Sequence, residues 1–186
     1  MIDSPGLRKA LTDVIAGDYP TLSFDTREVI ILYPYACIYH SKAKLEEYAK
    51  TAPENVKEDI DILISEVFAA LEKEATDAKK LGERKVITFD LLWTLFHPGG
   101  LIYASPIMNQ PQVFLVNYVD TIDPDQPKES RVLRIWAYSM DYSGKEFNRL
   151  DIPFKLKYFE GSKPISGLQA YPLECYEDPG EGLLFF

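Results

Sequence analysis

The sequence predicts an α+β protein, an N-terminal helical layer packed on an antiparallel β-barrel or sandwich of about five to six strands. Two patterns carry that expectation. Apolar residues recur at helical spacing up to about residue 84, then alternate with a period of two after Gly100. Composition adds a third observation. The 186 residues are 46% hydrophobic and 13% aromatic, enough core for a chain that needs neither metal nor disulfide to fold. Residues 1–186 read as a single composite domain, helix-rich over 1–84 and β-rich over 85–186, because the long helix of the first part needs an apolar surface that the second can offer.

The elements follow in order. Pro5 suits the first turn of a helix, with Leu7, Leu11, Val14 and Ile15 on one face and Gly17-Asp18-Tyr19-Pro20 as its stop. Val29-Ile30-Ile31-Leu32 is a strand or an extended lead into the next helix. Ser41 is the expected N-cap of a helix over 41–50 that carries Leu45 and Tyr48. The strongest element spans about 54–80, where Val56, Ile60, Leu63, Ile64, Val67, Phe68, Leu71 and Ala75 form one apolar stripe. Between the halves lies VITFDLLWTLFHPGG. Thr88 is placed to cap a short helix, Asp90 falls in its first turn, and Leu91, Leu92, Leu95 and Phe96 supply core. Trp93 falls on another face, and His97-Pro98-Gly99-Gly100 ends the helix. Five strands are expected after it, at Leu101–Ser105, Val113–Val119, Arg131–Tyr142, Glu146–Tyr158 and Ile165–Cys175. A tight turn at Tyr142-Ser143-Gly144-Lys145 puts Met140 and Phe147 at the flanks of a hairpin, and Asp120–Ser130 is a polar loop.

Charge narrows the function classes. With 20 Lys+Arg and 29 Asp+Glu the formal charge is −9, which disfavours general binding to phosphate backbones. Residues 1–84 hold 11 basic and 16 acidic side chains and residues 85–186 hold 9 and 13, so the acidity reads as evenly spread. No apolar run reaches the length of a membrane span, and MIDSPGLRKALTDV lacks the order of a signal peptide. The expectation is an intracellular protein, cytoplasmic or nuclear, with no nucleic acid and no membrane as partner, and with Cys37 and Cys175 as reduced thiols.

Ser143-Gly144-Lys145 lacks the upstream glycine of a phosphate loop and falls in a hairpin turn. Cys37-x-x-His40 has ligand spacing, and His97 and Cys175 would complete a set, but no second short pair accompanies it; no metal and no cofactor are expected. Neither His40 nor His97 adjoins a nucleophile elbow, and Ser41 beside His40 reads as a cap. The acid pairs Asp123/Asp125 and Glu177/Asp178 fall in loops. Tyr138, Tyr142 and Tyr158 would suit base stacking only beside a basic stripe, which the sequence does not display. No catalytic residue is expected. Leu183-Leu184-Phe185-Phe186 is an apolar run that would be exposed in water unless it docks on its own domain, meets a partner or continues into another domain; these four are the candidate partner-binding residues.

A set of landmarks resembles one family. Tyr33-Pro34-Tyr35 with His40 precedes the long helix, then come Val86-Ile87-Thr88-Phe89-Asp90 and LLWTLFHPG. Asp141-Tyr142-Ser143-Gly144-Lys145-Glu146-Phe147, Phe159-Glu160-Gly161-Ser162-Lys163-Pro164-Ile165, Leu168 and Tyr171-Pro172-Leu173 follow in order. Over about residues 20–175 the chain resembles the uncharacterised domain upstream of the ATPase module in large fungal AAA+ ATPases. The resemblance implies a non-catalytic protein-interaction or substrate-recruiting domain, with the ATPase activity in a downstream module absent from this chain. Its partner would be a protein or that AAA+ module. It also implies structural roles: Trp93 and Phe96 in the core, Pro98-Gly99 in a turn, and Gly161 at a positive φ. The alternative from another class is a small-molecule-binding or hydrolytic β-barrel with an aromatic-lined pocket.

Overall fold

The computed structural model describes residues 4–20, 22–24, 26, 29–107, 110–120 and 125–177. The chain divides between residues 77 and 78 into two units, each with its own packing. The division lies seven residues before the change of pattern read at 84/85.

The first unit is helical. α1 (Pro5–Ile15) opens with Ser4, whose Oγ accepts from the Leu7 amide at 3.3 Å, and Pro5 stands where the missing N–H costs nothing. Leu7, Leu11 and Ile15 are buried as their spacing predicted. α2 (Ala36–Ala49) begins five residues earlier than expected. Ser41 is therefore no cap but a buried residue in mid-helix, 2% exposed. The N-cap position belongs to Tyr35 at φ 56°, directly after Pro34; Pro34 announces a helix start rather than merely ending the apolar run. Residues 29–32 form neither helix nor ladder, in keeping with an extended lead.

The predicted long helix is two. α3 (Glu54–Ala70) and α4 (Glu72–Glu83) meet at Leu71, which leaves helical geometry at φ −104° and ψ 12°. The hydrogen bonds continue across it, Leu71 N to Val67 O at 3.0 Å and Ala75 N to Leu71 O at 2.8 Å. Val56, Ile60, Ile64, Val67 and Leu71 are all buried. The break falls where the apolar stripe thins and α4 buries no residue fully. α1 approaches α3 closely, since a Cβ on Gly6 would stand 2.5 Å from Val56 Cγ2.

The second unit is built on an open antiparallel sheet. β2 (Leu101–Ile107), β3 (Gln110–Val119), β4 (Val132–Tyr142), β5 (Phe147–Lys157) and β7 (Ala170–Pro172) lie in the order β5-β4-β3-β2-β7. β1 (Val86–Thr88) pairs with β6 (Ser162–Pro164) in a separate two-stranded ladder that the sequence did not predict. The α+β class is as expected, and of the barrel or sandwich read from the sequence the closed barrel does not form. Its closing partner would be β7, but the stretch read as one strand over 165–175 is mostly turn: a three-residue strand between the 3-10 turns Ile165–Gly167 and Leu173–Cys175. β5 is an edge strand with Pro153 opposite Trp136, a place where the missing amide breaks no ladder.

One face of the sheet takes the core. Ile102, Ala104, Phe114, Val116, Leu133, Ile135, Ala137, Phe154 and Leu156 point to it, and Phe114 meets Phe154 edge-on at 5.2 Å. The linking segment, a 3-10 turn over Phe89–Thr94 rather than an α-helix, lays Phe89, Leu91, Leu92 and Phe96 on the same core. Thr88 holds the N-cap position but makes no capping bond with its side chain. Trp93 is buried as expected, and Gly161 adopts φ +70°, as its turn required.

Phe114→Ala is expected to cost about 3–5 kcal/mol in urea unfolding, because the cavity left between β3 and β5 cannot collapse. Gly6→Ala is expected to destabilise the helical unit by about 1–3 kcal/mol through overpacking against Val56, read as a lower midpoint in the far-ultraviolet melt.

Candidate functional site

Alternation gives β4 and β5 a second face. Cross-strand pairs place Val132 with Lys157, Arg134 with Lys155, Trp136 with Pro153, Tyr138 with Asp151, Met140 with Arg149, and Tyr142 with Phe147. All of these point away from the core. Tyr118 of β3 stacks on Trp136 with centroids 5.6 Å apart, and the Arg149 guanidinium lies 3.9 Å from the centre of the Tyr138 ring. β3 pairs with β4 only over Ile135–Tyr138, so beyond Tyr138 the hairpin continues as a two-stranded ribbon. Its tip carries Met140 (60% exposed), Tyr142 (57%) and Phe147 (71%), with the Tyr142 and Phe147 rings 5.0 Å apart. Ser143–Glu146 turn the ribbon, closed by Ser143 N to Glu146 O at 3.0 Å.

The hairpin that carries this face is locally basic. Residues 131–157 hold six basic side chains (Arg131, Arg134, Lys145, Arg149, Lys155, Lys157) and three acidic ones (Asp141, Glu146, Asp151), net +3. The other positions hold 14 basic and 26 acidic residues, net −12. The even spread of charge read from the two halves is thereby corrected: averaging over about a hundred positions hid a basic hairpin. Arg149 is paired with Asp151 at 2.8 Å and Arg134 with Asp120 at 3.8 Å, and Asp120 also accepts from the Trp136 indole N–H at 3.4 Å. Lys155 and Lys157 are exposed and have no ion pair among the described residues.

The aromatic trio is divided by the fold. Tyr138 and Tyr142 share the outer face, whereas Tyr158 packs edge-on against Phe89 at 5.3 Å. The metal candidates are not assembled: among the described residues no group of three His, Cys, Asp or Glu side chains is placed to hold an ion. Cys37 and Cys175 are both free thiols. Burial pushes the Cys37 thiol from 9.0 up to about 11 and raises that of Cys175 as well. His97 is exposed, and because the Pro98 carbonyl only accepts, the 2.9 Å contact puts a proton on Nδ1. Glu177 pairs with Lys85, which lowers the glutamate and raises the lysine in pKa. Asp123, Asp178 and the four candidate partner-binding residues Leu183, Leu184, Phe185 and Phe186 lie outside the described residues.

One pocket of about 470 Å³ opens beside His97, between the end of the 3-10 turn, the start of β2 and the turn after β7. Leu95, Leu101, Ile102, Val116, Pro172 and Leu173 give it an aliphatic lining, with Phe96 and His97 the aromatic contributors. The alternative reading placed an aromatic-lined pocket inside a barrel; the sheet is open, and this cleft is mainly aliphatic. Its polar groups are Thr94, whose hydroxyl donates to Leu91 O at 2.7 Å, with His97 and Glu174.

Residues 77–177, more than half of the chain, match the family described as Domain of unknown function (DUF7025). The chain belongs to that family. The match begins one residue before the second unit, and it takes in the second half of α4, the 3-10 segment, the sheet and the β1–β6 ladder. LLWTLFHPG, the hairpin landmark and the Phe159–Leu173 landmarks fall inside it, whereas Tyr33-Pro34-Tyr35 and His40 fall outside. No curated protein and no solved structure matches the chain. No helix among the described residues is long and apolar enough to cross a membrane.

The Cys37 shift gives a pH dependence. Folding raises its pKa, so the stability it adds is complete below pH 9 and disappears as pH climbs from about 9 through about 11. Urea midpoints across that range are expected to fall more steeply for the native chain than for Cys37→Ala.

Proposed function

We propose that the chain is a non-catalytic protein-interaction or substrate-recruiting domain of a fungal AAA+ ATPase, standing upstream of the ATPase module. The observation that carries the interaction reading is the ribbon of β4 and β5. Met140, Tyr142 and Phe147 stand in solvent on one face while the other face of the same sheet is committed to the core. An exposed cluster of large apolar side chains is costly to keep unless it is used, and aromatic residues with arginine are typical anchors of protein interfaces. The AAA+ reading rests on the ordered landmarks of the sequence, which resemble that upstream domain.

Two results test it. The gene is expected to continue past Phe186 into G-x-x-x-x-G-K-[ST], and a coding sequence without that motif removes the AAA+ reading. Tyr142→Ser/Phe147→Ser is expected to reduce association with the parent ATPase hexamer at least about tenfold while folding stability stays within about 0.5 kcal/mol. Unchanged association removes the interaction face. The cleft beside His97 favours a second reading, a site for a small apolar ligand bearing one polar group. A thermal-shift screen in which Leu173→Trp abolishes any stabilising hit would test that.

A further inference from the structure

We infer that the β4–β5 hairpin docks an extended acidic protein segment that ends in apolar side chains. The inference rests on the interaction reading above and adds the partner's charge and orientation. Read from tip to base, the outer face is graded. Tyr142 with Phe147 and then Met140 make an exposed apolar tip; Tyr138, Trp136 and Pro153 make a flat middle, where Arg149 is paired with Asp151 and lies over the Tyr138 ring; Arg134, Lys155 and Lys157 make a basic base. The ten-residue distance from Phe147 to Lys157 spans about 34 Å at the rise of a strand. A segment of about ten extended residues covers that length.

Charge decides what the segment carries. Arg134 and Arg149 already have Asp120 and Asp151, so Lys155 and Lys157 are the cations open to an incoming acid. They are adjacent on one face, two residues apart on β5, a spacing that an extended acidic strand matches residue for residue. The rest of the chain carries net −12, so an acidic segment finds its attraction on this hairpin. The same numbers disfavour a nucleic acid. A polynucleotide is charged at every residue, yet the tip offers it no net positive charge, since Lys145 in the turn stands between Asp141 and Glu146. Main-chain pairing along the β5 edge is interrupted at Pro153, which has no amide to give. The segment therefore lies across the aromatic face rather than adding a sixth strand.

The probe is a fluorescein-labelled dodecapeptide, Glu-rich in its first half and Leu/Phe-rich in its second, titrated by anisotropy with the full chain. Binding is expected to weaken with salt and to fall at least about tenfold in Lys155→Glu/Lys157→Glu. Phe147→Ser is expected to lose a few-fold while keeping the salt dependence of the native chain. Both variants alter exposed side chains, and circular dichroism checks that each is folded. Absence of peptide binding, or binding that neither variant changes, overturns the inference. So does a twelve-residue oligouridylate that binds as tightly as the peptide and responds to the same variants, which would assign the face to single-stranded nucleic acid. Self-association in sedimentation that Lys155→Glu/Lys157→Glu abolishes, without peptide binding, would assign it to a second copy. Association with the parent hexamer lost in Tyr142→Ser/Phe147→Ser yet kept in Lys155→Glu/Lys157→Glu overturns this inference and leaves the interaction reading standing.

Discussion

A sheet has two faces, and in this protein one buried surface claims only one of them. Phe114 and Phe154 meet at the middle of that surface, and Phe89, Leu91, Leu92 and Phe96 close over it from the linking segment. Every other property of the second unit follows from that arrangement. The strands must alternate strictly, so whatever stands opposite the core residues on β4 and β5 is delivered to the far side. Register does the sorting: Leu133, Ile135 and Ala137 go in, and Arg134, Trp136, Tyr138 and Met140 go out. A slip of one residue would exchange the sets and put Arg134 into the core.

Much of this was legible in the chain. The alternation at 132–139, the hairpin turn at Ser143-Gly144 and the burial of Leu91, Leu92 and Phe96 followed from local pattern, because strands and tight turns are specified by neighbours in sequence. The helices of the first unit were also legible on their buried faces, from Leu11 to Leu71. What escaped was non-local or competitive. The β1–β6 ladder joins residues about 76 positions apart, each strand three residues long, and so short a run has no period to detect. Ser41 was misread because a serine before an apolar stripe looks the same whether the helix starts there or five residues earlier; Pro34 and Tyr35 decided it. The break at Leu71 had no glycine or proline to announce it.

The outer face of β4 and β5 shows a different kind of blindness. Its parts were all visible: the outward positions of β4, the flanking Phe147, and the two lysines near the end of β5. What was missing was their sum. Charge counted over long blocks averages a basic hairpin into an acidic chain, and the face became evident only when register put residues from two strands side by side. The terminal Leu183-Leu184-Phe185-Phe186 drew attention because its apolar side chains are consecutive, whereas those of the hairpin are spaced two apart and interleaved with polar ones. Apolar surface on a strand is disguised by its own periodicity.

Pro153 has a further consequence. A long outer strand ending in exposed aromatic rings is the kind of edge along which identical molecules can stack without limit, each chain templating the next. A ring nitrogen without hydrogen at the seventh of that strand's eleven residues leaves no run longer than six residues for such templating. In β5 the stickiness of side chains is thereby separated from the stickiness of backbone.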